Sequence, residues 1–239
     1  VKKLFLSAVL FLCSSVFANT LEFVVTASAG GPNDTVTRKL AEQIERETDL
    51  KIVVVNRPGA AHMIGYSYVQ SSNKPTLVLS TPEVLLHPVH KEVHDLYFLG
   101  NFYNAVFVSE KSGIKNLQDL RALSTVRFGH GGVNTFSHQA MLQLCQTLNC
   151  LDVPFKSGAE GMLGLLSDTI DAYAVVSYGS KQYSGNPRYR AVHRVTAAKG
   201  QQWWLRVFGK NVAPADLEKI KAALDKLTPE FYSDIGLLR

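Results

Sequence analysis

Blocks of like charge, long apolar runs and catalytic signatures are all scarce in this 239-residue sequence. Lysines and arginines are scattered, with no basic block and interleaved aromatics, so no nucleic-acid partner is expected. Beyond residue 18 no stretch approaches the roughly 18 apolar residues of a membrane-crossing helix. G-x-S-x-G, H-E-x-x-H and catalytic-cysteine motifs are absent, which leaves nucleophilic and zinc-peptidase chemistry without their marks. The loop at Gly30-Gly31 lacks the third glycine of G-x-G-x-x-G, and no G-x-x-x-x-G-K occurs, so no nucleotide or other cofactor is expected. There is no low-complexity tract or solenoid period.

What is present suits a folded chain: 46% hydrophobic, 10% aromatic and 19% charged residues can build a sizeable core in one large domain or two modest lobes. Lys2 and Lys3, the apolar stretch Leu4 to Leu12, and Val16-Phe17-Ala18 read as a secretory signal over residues 1–18, cleaved near Ala18. This predicts export through the Sec pathway to the periplasm. Leu12 before Cys13 is too bulky for a lipoprotein signal. Two lysines and no acids leave with the signal, so the formal charge falls from +5 to +3. Cys145 and Cys150 then remain in an oxidising compartment. In one continuous helix they would stand roughly 7.5 Å apart along the axis, so a disulfide requires the helix to end between them. Asn149 is a suitable stop; a bonded pair and two buried thiols both remain open.

Hydrophobic periodicity sets out one repeated unit. Leu21 to Thr26 reads as a strand, residues 27–34 as a glycine loop, and Val36, Leu40, Ala41 and Ile44 fall on one helical face, with Asn33 or Asp34 as a cap. Ile52 to Val55 follows as a β-branched strand, then a loop from Asn56 to His62, a helix to about Ser71, and the strand Thr76 to Ser80. After a less regular stretch come a strand at Ala105 to Val108 and a short helix at Asn116 to Leu123. The unit recurs as strand Val126 to Gly129, glycine loop 131–135, helix Phe136 to Leu148, strand Leu151 to Phe155, helix Ala159 to Ser167 and strand Ile170 to Val176. Strands at Tyr189 to Val195 and Trp203 to Phe208, and a helix from Ala215 to Leu227 behind Pro214, complete it. Such alternation predicts an α/β fold of mostly parallel sheets flanked by helices, with ligands beyond the carboxyl ends of the strands.

The two glycine loops offer free backbone N–H groups at helix starts, one in each lobe, and together could grip an anion. Asp34 competes for the first set and repels a dianion, so a carboxylate suits the site better than a phosphate. His87, His90 and His94, beside Glu92 and Asp95, have zinc-ligand chemistry, but Pro88 breaks any helix that would align them. A solvated irregular segment is the ordinary account, and no metal site is assigned. His62 and His130 stand where they could touch a ligand and make its affinity pH-dependent, whereas His138 reads as packing on its own loop.

Ala29-Gly30-Gly31-Pro32-Asn33-Asp34 with Arg38 and Leu40, then Val55-Asn56-Arg57-Pro58-Gly59-Ala60 and Ile64-Gly65, resembles the Bug-type solute-binding proteins of tripartite tricarboxylate transporters. Similar words recur at residues 113–120 (GIKNLQDL), at Phe128-Gly129 with Gly132 and His138, at residues 153–158 and at Ile170-Asp171-Ala172, so the likeness runs from about residue 22 to 227. The resemblance implies a two-lobed periplasmic binding protein of the type II fold, monomeric and not an enzyme. Its lobes would be residues 19–104 with 196–239, and residues 105–195. It also implies capture of a small carboxylate for membrane components of such a transporter. Carried onto this chain, the ligand set is Ala29, Gly30, Gly31 and Asp34 on one side and His130, Gly132 and Thr135 on the other. Ser80 and Thr81 fall near the distal end, and His62 in the second loop. His130 stands for the family's usual serine, and Asn134 and His62 for glycines, which implies a bulkier, more polar pocket; the C-terminal region is also shorter than usual. The other readings of the residues are a sensing partner of a two-component system, a periplasmic hydrolase using His130 or His138 as base, and a metal-binding protein.

Overall fold

A computed structural model describes residues 20–238. The signal-peptide reading of residues 1–18 lies outside the described residues. The first sheet is built from β1 (Thr20–Val25), β2 (Lys51–Asn56), β3 (Thr76–Ser80), β4 (His94–Asn101) and β10 (Trp204–Lys210), in the order β2-β1-β3-β10-β4. The second contains β5 (Asn104–Ser109), β6 (Val126–His130), β7 (Cys150–Pro154), β8 (Ala172–Val176) and β9 (Tyr189–Val195), in the order β7-β6-β8-β5-β9. Helices α1 (Pro32–Glu47), α2 (Met63–Ser71), α7 (Pro214–Asp225) and α8 (Pro229–Ile235) accompany the first sheet, and α3 (Leu117–Arg121), α4 (Phe136–Leu144) and α5 (Gly158–Leu166) the second. Helix α6 (Ser177–Ser184) leaves β8 and packs on α1 and α8.

The two-lobed α/β architecture follows the alternation in the sequence: four of the five strands in each sheet run the same way, and one strand in each runs against them. β1 pairs parallel with β2 and β3, and β6 with β7 and β8, while β10 and β5 run antiparallel to both of their neighbours. The reason is topological. The parallel strands end facing the other sheet, so a chain arriving from that sheet enters at the same end and runs the opposite way. β4 escapes the periodicity because its burial is irregular and its ladder with β10 carries two register shifts. α4 stops at Leu144, short of the expected Leu148, and this brings Cys145 to 5.7 Å from Cys150 (Cα to Cα), where the two form a disulfide.

Aromatic packing joins the sheets where the chain crosses. Phe102, between β4 and β5, lies 4.9 Å from Phe136, 5.2 Å from Tyr178 and 6.0 Å from Trp203 (ring centroids). Phe102 N–H donates to the Trp203 carbonyl at 2.9 Å, tying the two crossings together. All four rings are buried in one hydrophobic core that runs through both halves.

Helix α6 can lie on α1 only because residue 179 is glycine: a Cβ there would overlap the Pro32 ring. Gly179→Val is expected to destabilise the fold by about 1–3 kcal/mol through overpacking. Urea unfolding checks this, with a lowered midpoint and an unchanged slope as the expected result.

Candidate functional site

Helices α1, α2, α4, α5 and α6 all begin on the wall of one cavity of about 420 Å³, through their N-cap residues Gly31, His62, Thr135, Ser157 and Val176. Each follows a strand whose carboxyl end faces the other sheet, so residues of both sheets line the space. The first N–H groups of a helix have no carbonyl a turn below them, and the helix dipole adds positive potential there. Among the described residues Lys156, at the entrance to α5, is the lysine on the wall, and no aspartate or glutamate lines it. Among the described residues Lys156 has no ion-pair partner. Phe136, Phe155, Tyr173, Val175 and Tyr178 add apolar side chains to the same lining. The site therefore offers positive potential with an apolar body, a setting for a small organic anion.

Of the residues expected from sequence, Ala29, Gly31, His62, Thr81, Gly132 and Thr135 line the cavity. Gly30, Asp34, Ser80 and His130 do not. Asp34 faces inward to its own loop, accepting from Gly30 N–H, Arg38 Nε and Asn56 Nδ2, each at 2.9 Å. Burial pushes its carboxyl up, but those hydrogen bonds and the Arg38 charge outweigh it and hold Asp34 below the ordinary range. Asp34 thus shapes the loop that meets the ligand, and Gly31 takes the cap position expected of Asn33 or Asp34. Ser80 is buried, its hydroxyl bonded to the Tyr66 hydroxyl at 2.8 Å.

His130 is fully buried. Its Nδ1 accepts Gly132 N–H at 3.1 Å and its Nε2 contacts the Asp152 carboxylate. The rest of that loop is similarly self-satisfied: Gly131 N–H donates to Ser137 Oγ at 2.9 Å, Asn134 N–H to His138 Nδ1 at 3.2 Å, and Thr135 N–H to the Gly132 carbonyl at 3.3 Å. The second glycine loop therefore withholds N–H groups that the sequence reading assigned to a ligand. The open donors on that side belong to the first turn of α4. Lys156 and the Ser157 cap of α5 are the parts sequence reasoning missed; the Ser157-x-x-Glu160 pattern of a helix start was their available signal.

Three successive non-glycine residues, Ala60, Ala61 and His62, hold left-handed backbone (φ 47°, 48° and 75°) against the cavity. His62 Nδ1 lies 2.9 Å from Thr26 Oγ1 and 3.2 Å from the Thr26 carbonyl, and burial lowers its pKa against the opposing hydrogen bond to the Thr26 backbone. His87, His90 and His94 do not converge. His87 Nδ1 accepts Val89 N–H and His90 Nδ1 bonds the His87 carbonyl, because Pro88 turns this segment into short 3-10 pieces. Metal-ligand residue types meet instead at His130, His138 and Asp152.

No family model matches the chain, and no curated protein matches it in sequence. Solved structures do match in fold. The periplasmic binding protein BugD superposes with a TM-score of 0.76 at 18% identity, over 91% of this chain and 87% of that one. The R. palustris protein Rpa4515, solved with adipate, gives 0.79 at 16% identity over 91% and 87%. MatC from Rhodopseudomonas palustris, with bound malate, gives 0.73 at 17% identity over 92% and 89%. At these identities the likeness is one of fold, that of two-lobed periplasmic binding proteins. It leads to the same set of proteins as the motif resemblance.

Behind Thr81, the Glu83 carboxyl is buried, with only the Thr81 hydroxyl and its own backbone N–H to oppose the effect of burial. Burial pushes its pKa up from 4.5 to about 7. A carboxyl raised in the folded state stabilises the fold fully below its unfolded value and loses that contribution as pH rises toward the folded value. Thermal stability should thus fall between about pH 4.5 and about pH 7 and then level off. In Glu83→Gln this decline should disappear and the melting temperature at pH 8 should exceed that of the parent, as calorimetry at stepped pH would register.

Proposed function

We propose that this chain is a periplasmic solute-binding protein of the tripartite tricarboxylate transporter type, which captures a small carboxylate-bearing solute and delivers it to membrane components. The observation that carries this reading is the cavity wall: helix starts from both sheets and one lysine line a space that, among the described residues, no aspartate or glutamate lines. An anionic group there meets aligned N–H donors and the Lys156 charge with no repelling acid, while the solute's carbon skeleton rests on Phe155, Tyr173 and Val175. The adipate and malate carried by Rpa4515 and MatC are solutes of this kind. Di- and tricarboxylates and related organic acids are the solute class.

Delivery needs a bound state that differs from the free one. Residues 19–104 with 196–239 and residues 105–195 form the two lobes in this reading. A solute held by α1 on one lobe and by α4 and α5 on the other stabilises the closed arrangement, because its contacts with both are complete only there. The role is binding, not turnover.

Calorimetry of the purified protein against mono-, di- and tricarboxylates and acidic amino acids tests the reading. At least one carboxylate should bind with one-to-one stoichiometry. Lys156→Gln should weaken that binding about tenfold, the scale of one lost charge-assisted hydrogen bond. Gly31→Val, which puts a branched side chain at the start of α1 and within 3.2 Å of the Ser28 carbonyl, should abolish it while lowering the melting temperature only slightly, the chain remaining folded. Absence of heat with every carboxylate, or unchanged affinity in both variants, would overturn the assignment.

A further inference from the structure

The cluster behind the second glycine loop invites a metal. His130 is fully buried and His138 nearly so, Asp152 is half exposed on edge strand β7, and their ligand-type atoms lie within 4.8 Å of one another. Proton bookkeeping argues otherwise. A neutral imidazole has one lone pair and one N–H. Both rings use Nδ1 to accept a backbone N–H, from Gly132 and from Asn134, so both carry their proton on Nε2. Those Nε2 atoms face one carboxylate: His130 is bonded to Asp152 Oδ1, and His138 lies 3.6 Å from Oδ2. A cation on either Nε2 would force the ring proton onto Nδ1, directly against a backbone N–H donor.

The same logic applies to a proton. We infer that His130, His138 and Asp152 form a proton-operated latch on the loop between β6 and α4, so that carboxylate affinity rises as the pair takes up a proton. The inference rests on the carboxylate-binding reading and adds its regulation. An added proton can go only to an Nδ1, where it opposes the N–H of Gly132 or Asn134. The loop must then turn that N–H away, and Gly132 is on the cavity wall. The released donor and the new imidazolium charge both favour an anionic solute.

The groups facing the pair set the direction. From β7 the Asp152 carboxylate favours the imidazolium. From β8 comes Tyr173, whose hydroxyl lies beside Gly131; burial raises its pKa, followed by the charges of Tyr183 and Glu160, and keeps it neutral. Burial holds the His138 pKa down, and the neighbouring His130 adds to this, with Asp152 opposing. Two imidazolium charges on rings 4.4 Å apart would repel each other, so the latch operates on one added proton rather than two. By linkage, affinity should be greatest where the cluster holds the added proton and decline as rising pH removes it, with proton uptake on binding.

The test is calorimetry with adipate and malate from pH 5.5 to 8.5, in two buffers of different ionisation enthalpy, alongside histidine and amide NMR of the ligand-free protein. Expected are an affinity about tenfold higher at pH 5.5 than at 8.5, fractional proton uptake, and loss of both in His138→Gln and Asp152→Asn. His62→Gln, which alters the histidine on the cavity wall itself, should retain the pH dependence whatever it does to the affinity. NMR should find both rings as Nε2–H tautomers at pH 8.5, with the Gly132 amide shifting at the ring midpoint. A flat affinity profile with binding intact, Nδ1–H tautomers, or stoichiometric zinc bound at His130 and His138 would overturn the latch. Should neither acid bind at any pH, the solute-binding reading is what suffers, and the NMR tautomers and Gly132 midpoint still decide the latch.

Discussion

Everything about the site depends on competition for backbone N–H groups at the turns between strands and helices. A helix start exposes donors that burial leaves in need of a partner, and the partner is either the protein itself or a bound anion. Around this cavity the chain satisfies its loops with different groups on its two sides. Asp34 takes Gly30 N–H and leaves the first turn of α1 open to the cavity. After β6, imidazoles and hydroxyls take the N–H groups of Gly131, Gly132 and Asn134, and what remains open is the helix start itself. The two loops look alike as glycine-rich turns and reach the same end by different partners: Asp34 and the Ser28 carbonyl satisfy the first, imidazoles and a hydroxyl the second.

Charge reinforces this arrangement by where it is withheld. Carboxylates near the cavity are turned away from it: Asp34 is held by Arg38 and Asn56, Asp152 lies behind the His130 ring, and Glu83 is buried beyond Thr81. Lys156 is left facing the space with no acid on the same wall. A net positive potential thus arises from one side chain and several peptide dipoles, a modest charge that needs little desolvation.

The crossing of the chain between sheets supplies the mechanical counterpart. Phe102 and Trp203 stand on the two crossing segments, and Phe136 and Tyr178, which pack against them, also line the cavity. A rotation of one sheet against the other would therefore be felt at the first turns of α4 and α6. The Gly179 and Pro32 contact ties α6 to α1, so the helix that follows β8 belongs by packing to both halves.

The sequence by itself determined the order of elements, the α/β class and the placement of glycine loops at the ends of strands, because periodicity and turn chemistry are local properties. It also identified much of the cavity wall, including Gly31, Thr81, Gly132 and Thr135, since a residue at a strand-to-helix turn faces the strand ends whatever else happens. Only the tertiary structure decided the antiparallel course of β5 and β10, which depends on the end at which the chain enters each sheet. It also decided that α4 ends early enough for Cys145 to reach Cys150. The sharpest divergence is His130. Read along the chain it stands in the ligand loop; in the fold Asp152, from the neighbouring strand, draws its ring behind that loop. A side chain's direction is set by the partner that satisfies it, and that partner lies 22 residues away in sequence.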